Sequence, residues 1–157
     1  MTKVAVLDKQ FSRTQTTQQN SIDNSVLESK IGFQLRMTDR MVNKEFAHDV
    51  GMTPVQFSVF SLVATNPDLS QVEIAEALGM DKASTMAVVH KLEVAGLIRC
   101  EIASHDKRMH ALQLTPTGKR RFPQTNRKVI AHEDAFSNRL TKKEQEALFV
   151  YLAKIRA

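Results

Sequence analysis

The chain has 157 residues, 42% of them hydrophobic, which suits one domain with a real core and leaves little room for a second. Its 22 Lys and Arg against 17 Asp and Glu give a net charge of +5, a balance that fits a polyanionic partner. A single cysteine excludes an intrachain disulfide framework, no apolar run nears the roughly 20 residues of a membrane span, and "MTKVAVLDKQ" breaks into charge too early for a secretory leader, so a cytoplasmic chain with no membrane partner is expected.

Residues 1–24 end in "FSRTQTTQQNSIDN", polar and short of apolar anchors, and read as a flexible N-terminal extension. From Val26 the pattern changes. Leu27, Ile31, Leu35, Val42 and Phe46 form one helical row, and Val26, Phe33, Met37 and Met41 form a second. Together they predict a long helix with two apolar sides, of the kind that lies between a core and a partner subunit, ended by Gly51.

"TPVQFSVFSLVAT" opens with Thr53 as a helix N-cap and Pro54 at the first helical position, where its missing N–H costs nothing. After the break at Asn66 and Pro67, "SQVEIAEALGM" pairs Ser70 with Glu73 at capping-box spacing. Val72, Ile74, Ala75 and Leu78 mark its apolar positions, and Gly79 stops it. Asp81 then caps "DKASTMAVVHKLEVAG", which Gly96 terminates. "LIRCEIAS" and "MHALQLT" alternate as two short strands, with "HDKR" as the turn between them. A basic helix starts at Thr117, and a last helix starts at Thr141, with Glu144 three residues on and Leu148, Tyr151, Leu152 and Ile155 along one side.

Two helices joined by a tight glycine turn and followed at once by a basic hairpin describe a winged helix-turn-helix. Ala75, four residues before Gly79, is small enough for the helices to cross closely. At 100° per residue, Thr85, Val88, Val89 and Leu92 fall on the core side of the second helix. The opposite side carries Ala83, Ala87 and His90, flanked by Ser84, Met86 and Lys91. Ala and Met can touch thymine methyls, Ser84 and His90 can bond to bases or phosphates, and Lys82 and Lys91 suit phosphates. The alternative is the solvated face of a bundle helix; the adjoining hairpin favours DNA.

"LSQVEIAEALGMDKASTMAVVHKLEVAGLIRC" followed by "HDKRMHALQLTPTGK" closely resembles the MarR family of bacterial transcription regulators, over about residues 25–157. The most specific element is a D-x-R wing followed by L-T-x-x-G, matched by Asp106, Arg108, Leu114, Thr115 and Gly118. The resemblance implies that Arg108 enters a minor groove, that Asp106 fixes the shape of the wing, and that Lys107 meets DNA beside them. Where many members carry a large polar or basic residue this chain has Ala87, so readout there rests on hydrophobic contact.

The resemblance also implies a mainly α (α+β) homodimer, with 25–50 and 117–157 as the helical dimerisation region and 53–116 as the winged DNA-binding domain. A twofold dimer calls for a pseudo-palindromic double-stranded operator. Members are often released from DNA by a small-molecule effector, commonly an aromatic acid or other phenolic compound or a derivative of one. Arg36, Arg40 and His48 are the candidate partners of a carboxylate, and Phe57 and Phe60 the candidate apolar wall. No metal-ligand spacing joins the five histidines, and no nucleophile elbow or phosphate loop occurs, so neither metal, cofactor nor catalysis is expected. Two other readings stay open: a regulator switched by the Cys100 thiol, and a helical ligand- or protein-binding dimer without DNA binding.

Overall fold

The computed structural model describes residues 23–102 and 110–157. All but the last two residues of the expected extension therefore lie outside the described residues. The chain divides into two compact units, Met1–Met37 and Thr38–Ala157.

The periodic stretch 25–47 is not one long helix. It forms α1 (Ser25–Glu28), α2 (Ile31–Asn43) and α3 (Phe46–Val50). At the first break the Ser29 hydroxyl donates to the Val26 carbonyl at 3.1 Å, and the Gln34 side-chain amide donates to the Glu28 carbonyl at 2.7 Å. Side chains thus serve carbonyls that a continuous helix would have bonded through its backbone. After the second break, α3 buries Phe46 and Val50, while Ile31, Leu35 and Met41 of α2 stay exposed. The i, i+4 rhythm runs through both breaks because each is only a couple of residues long. Gly51 ends α3 at φ 85°, where its N–H reaches the Ala47 carbonyl at 3.0 Å.

Next come α4 (Pro54–Thr65), α5 (Gln71–Leu78), α6 (Lys82–Val94), β1 (Ile98–Ile102), β2 (His110–Leu114), α7 (Pro116–Ser137) and α8 (Lys142–Arg156). The capping residues act as their spacing indicates. Ser70 accepts from the Glu73 amide at 3.3 Å while Glu73 accepts from the Ser70 amide at 2.8 Å, and Thr141 and Glu144 repeat the exchange. Thr53 closes a further box with Gln56, and Thr115 rather than Thr117 caps α7.

The core forms around α4. Val59 and Phe60 are fully buried and cluster with Ile74 of α5, Val89 and Leu92 of α6, Leu97 just before the first strand, Ile98 of that strand, and Leu112 of the second. Val72 is 53% exposed, because two residues of helix turn it about 200° away from the buried Ile74. The strands pair antiparallel from Ile98↔Leu114 to Ile102↔His110. Leu112 also donates its N–H to the Leu69 carbonyl at 2.8 Å, which ties the hairpin to the segment before α5. This is a winged helix-turn-helix, mainly α, with a two-stranded wing. Among the described residues no helix is long and apolar enough to cross a membrane.

Candidate nucleic-acid interface

The turn between α5 and α6 is fixed by backbone chemistry. Gly79 sits at φ 60° in the left-handed region, and the Met80 amide donates back to the Ala75 carbonyl at 2.8 Å, which closes a Schellman turn. Asp81 then starts α6, accepting from the Ser84 amide at 2.8 Å and the Ser84 hydroxyl at 2.6 Å. Those bonds, the hydroxyl's foremost, hold the Asp81 carboxyl below its ordinary range. Thr85, Val89 and Leu92 of α6 are buried and Val88 is half-buried against the same core.

The opposite face is therefore free. Lys82, Ala83, Ser84, Met86, Ala87, His90 and Lys91 are all exposed, with Met86 at 55%. The Ser84 hydroxyl already donates to Asp81, which leaves its oxygen able to accept a further hydrogen bond. Ala83, Met86, Ala87 and His90 line a shallow concavity of about 510 Å³ whose rim includes Gln71 and Glu93. Neither rim residue is singled out by sequence reasoning. Glu93 had a signal, since it lies three residues after His90 on the same face. Gln71 had none, since only the crossing of α5 over α6 brings it there.

The L-T-x-x-G element sets the base of the wing. Thr115 donates its hydroxyl to the Gly96 carbonyl at 2.6 Å and accepts the Gly118 amide at 2.9 Å. Gly118 is pressed against the Leu97 main chain so closely that a Cβ would overlap the carbonyl oxygen. The strand pair and the start of α7 are thereby locked together. On the stem, Arg99 pairs with Glu101 at 3.0 Å. Asp106, Lys107 and Arg108 lie in the stretch 103–109, outside the described residues.

The side chains expected for an effector are placed as follows. The Arg36 guanidinium lies 5.7 Å from the centre of the Phe33 ring. Arg40 and His48 are exposed, and His48 Nδ1 is 3.1 Å from an Asp49 carboxylate oxygen. Phe57 is half-buried, 6.4 Å from Phe46, whereas Phe60 is closed within the core, edge-on to Phe122 at 5.4 Å. An apolar cavity of about 300 Å³ lies elsewhere, lined by Met41, Val42, Phe136, Leu140, Leu148 and Phe149 among others. Arg40, His48, Phe57 and Phe60 do not line it. The Cys100 thiol is exposed, but what burial it has, and then Glu93, push it up, away from a reactive thiolate.

The model of the MarR family matches residues 50–109. A Thauera aromatica protein assigned to transcriptional regulation of the hcr operon is 31% identical over 80% of this chain and 78% of its own length. The transcriptional regulator HosA of Escherichia coli O157:H7 is 30% identical over 82% of this chain and 95% of its own. The chain belongs to the MarR family. Among solved structures, the transcriptional repressor CouR bound to a 23-mer DNA duplex is 31% identical, with a TM-score of 0.80 over 87% of this chain and 99% of the other. CouR bound to p-coumaroyl-CoA is also 31% identical, with a TM-score of 0.76 over 88% and 98%. As a MarR protein the chain is a transcriptional regulator, from a family of regulators rather than enzymes.

Proposed function

We propose that this MarR regulator is a repressor that binds a pseudo-palindromic operator as a homodimer and is released by a small-molecule effector, an aromatic acid or its coenzyme A thioester. The observation that carries the reading is the exposed, small-residue face of α6, held in place by the Gly79 turn and the Asp81 cap and followed at once by the hairpin. Such a face can lie close to base edges in a major groove, and the flanking Lys82 and Lys91 suit phosphates. Lys107 and Arg108 extend the contact to the minor groove, with Asp106 as their support, by the family resemblance.

A second copy is supported by apolar exposure in the helices outside the winged unit. Val26 and Ile31 are 73% and 66% exposed, and Phe149 and Tyr151 of α8 are 69% and 61%. Patches of this kind on a folded protein mark association surfaces. The effector class is supported by the p-coumaroyl-CoA complex of the 31%-identical repressor. For a carboxylate or phosphate, Arg36, Arg40 and His48 are the candidate partners, with Phe57 and Phe60 as the candidate apolar wall.

The decisive experiment titrates the purified protein against its own upstream intergenic DNA, with and without aromatic acids and their coenzyme A thioesters. A footprint that one compound abolishes supports the whole reading. A footprint that none shifts removes the proposed effector class. No binding at low salt removes the operator.

A further inference from the structure

His132 lies in the last third of α7, with its imidazole only 8% exposed. Both ring nitrogens face acceptors: Nδ1 is 2.9 Å from an Asp49 carboxylate oxygen, and Nε2 is 2.8 Å from the Val42 carbonyl oxygen. The ring stands edge-on to Phe46 at 5.1 Å and to Phe136 at 6.1 Å, so packing fixes its orientation. A neutral imidazole carries one N–H and can satisfy only one of these partners. The Val42 carbonyl has no hydrogen to give, and Asp49 is held as a carboxylate, below its ordinary range, by the bonds from His132 and then His48. Both contacts exist together only when the ring is an imidazolium.

We infer that His132 is a protonation-dependent latch that fastens the segment before the winged unit to the helix after it. Asp49 belongs to α3, which runs through Gly51 toward α4, and Val42 belongs to the end of α2. α7 starts at the base of the wing. One charged ring therefore ties the segment that enters the winged unit to the far part of the helix that leaves it, and loss of one proton releases either the carboxylate or the carbonyl. The titratable groups that bear on it are Asp49 from α3, Glu133 beside it on α7, and His48, which shares Asp49 through the other carboxylate oxygen. Its bond with Asp49, then that with Val42, raises the ring above the ordinary histidine value.

The direction of the pH effect follows from that raised value. The latch contributes fully below the ordinary histidine range and is lost as pH rises through the folded-state value. At the acid end, Asp49 must ionise, so its part is lost as pH falls through a value lower than an ordinary carboxylate's. None of this depends on operator binding, so the two readings fail separately.

The test uses the full-length protein, with ring-nitrogen NMR and thermal melting followed from about pH 5 to 9. In wild type, His132 should keep two ring N–H groups above the ordinary histidine range, and the melting temperature should fall by a few degrees as one of them is lost. Asp49→Asn should move that titration to lower pH and remove the corresponding part of the fall. His132→Phe, which keeps the edge contacts with Phe46 and Phe136, should flatten the same part of the profile. A wild-type ring already neutral at about pH 6, or either variant melting with the wild-type pH profile, overturns the latch.

Discussion

Gly118 rests against the main-chain carbonyl of Leu97, in a space too small for a methyl group. The neighbour is backbone, held in place because the Thr115 amide donates to that same carbonyl at 3.0 Å, so it cannot turn aside as a flexible side chain would. Gly118→Ala should therefore destabilise by about 1–3 kcal/mol despite the better helix propensity of alanine. A drop of several degrees in melting temperature is the expected reading. An unchanged melting temperature would show that the strand–helix junction is slack, and that the glycine of the L-T-x-x-G element serves something other than packing.

The start of α6 is capped by the Asp81 side chain through its two bonds with Ser84, and the Thr85 hydroxyl adds a bond to the Asp81 carbonyl at 2.9 Å. Asp81→Ala should lower the melting temperature by a few degrees and weaken DNA binding by fraying the first turn, where Lys82, Ala83 and Ser84 sit. Asp81→Asn, which keeps an acceptor oxygen, should recover most of the loss. Because Asp81 titrates below its ordinary range, the advantage of wild type over Ala should persist above that range and vanish as pH falls through the lowered value. An Ala variant that melts and binds like wild type would remove the cap from the account.

Local signals made the winged unit readable in the linear chain. Thr53, Ser70, Asp81 and Thr141 each announce a helix start through a side-chain oxygen aimed at a nearby amide, a contact spanning three residues and indifferent to the rest of the fold. Gly79 and Gly96 are equally local, since a positive φ marks where a helix stops. What the chain hid was of two kinds. The breaks after Glu28 and Asn43 preserve apolar periodicity, so counting residues cannot see them. Gln71 and His132 matter through partners brought close by helix crossings, with Asp49 separated from His132 by 83 positions. Burial depth was equally out of sight: Phe60, expected as apolar wall beside Phe57, is fully buried in the core, whereas Phe57 is half-buried.

Glu93 places a carboxylate on the rim of the concavity that the α6 face presents. Next to phosphates such a group repels, and against a base edge it can accept from cytosine N4. Its effect should therefore be on discrimination. Glu93→Gln is expected to raise affinity for unrelated duplex DNA roughly threefold while leaving operator affinity level or lower, so that their ratio shrinks. Gln71→Ala, in the same concavity, should cost about tenfold on the operator and little on unrelated DNA. Equal changes on both DNAs would class these two as charge and bulk rather than readout.

By its match to the D-x-R element, Arg108 is the residue we propose to carry the wing's contact with DNA. A guanidinium gains most where the minor groove is narrow and strongly negative, so its contribution combines charge with local DNA shape. Arg108→Ala should weaken operator binding by at least about tenfold and reduce the slope of log affinity against log salt by about one. Arg108→Lys should restore the slope but only part of the affinity, because a compact ammonium keeps the charge without the planar fork. Sedimentation of the variant should match wild type, since the change lies far along the chain from the apolar surfaces of α1, α2 and α8. If Ala binds as tightly as wild type at every salt concentration, the wing makes no groove contact and α6 must carry recognition by itself.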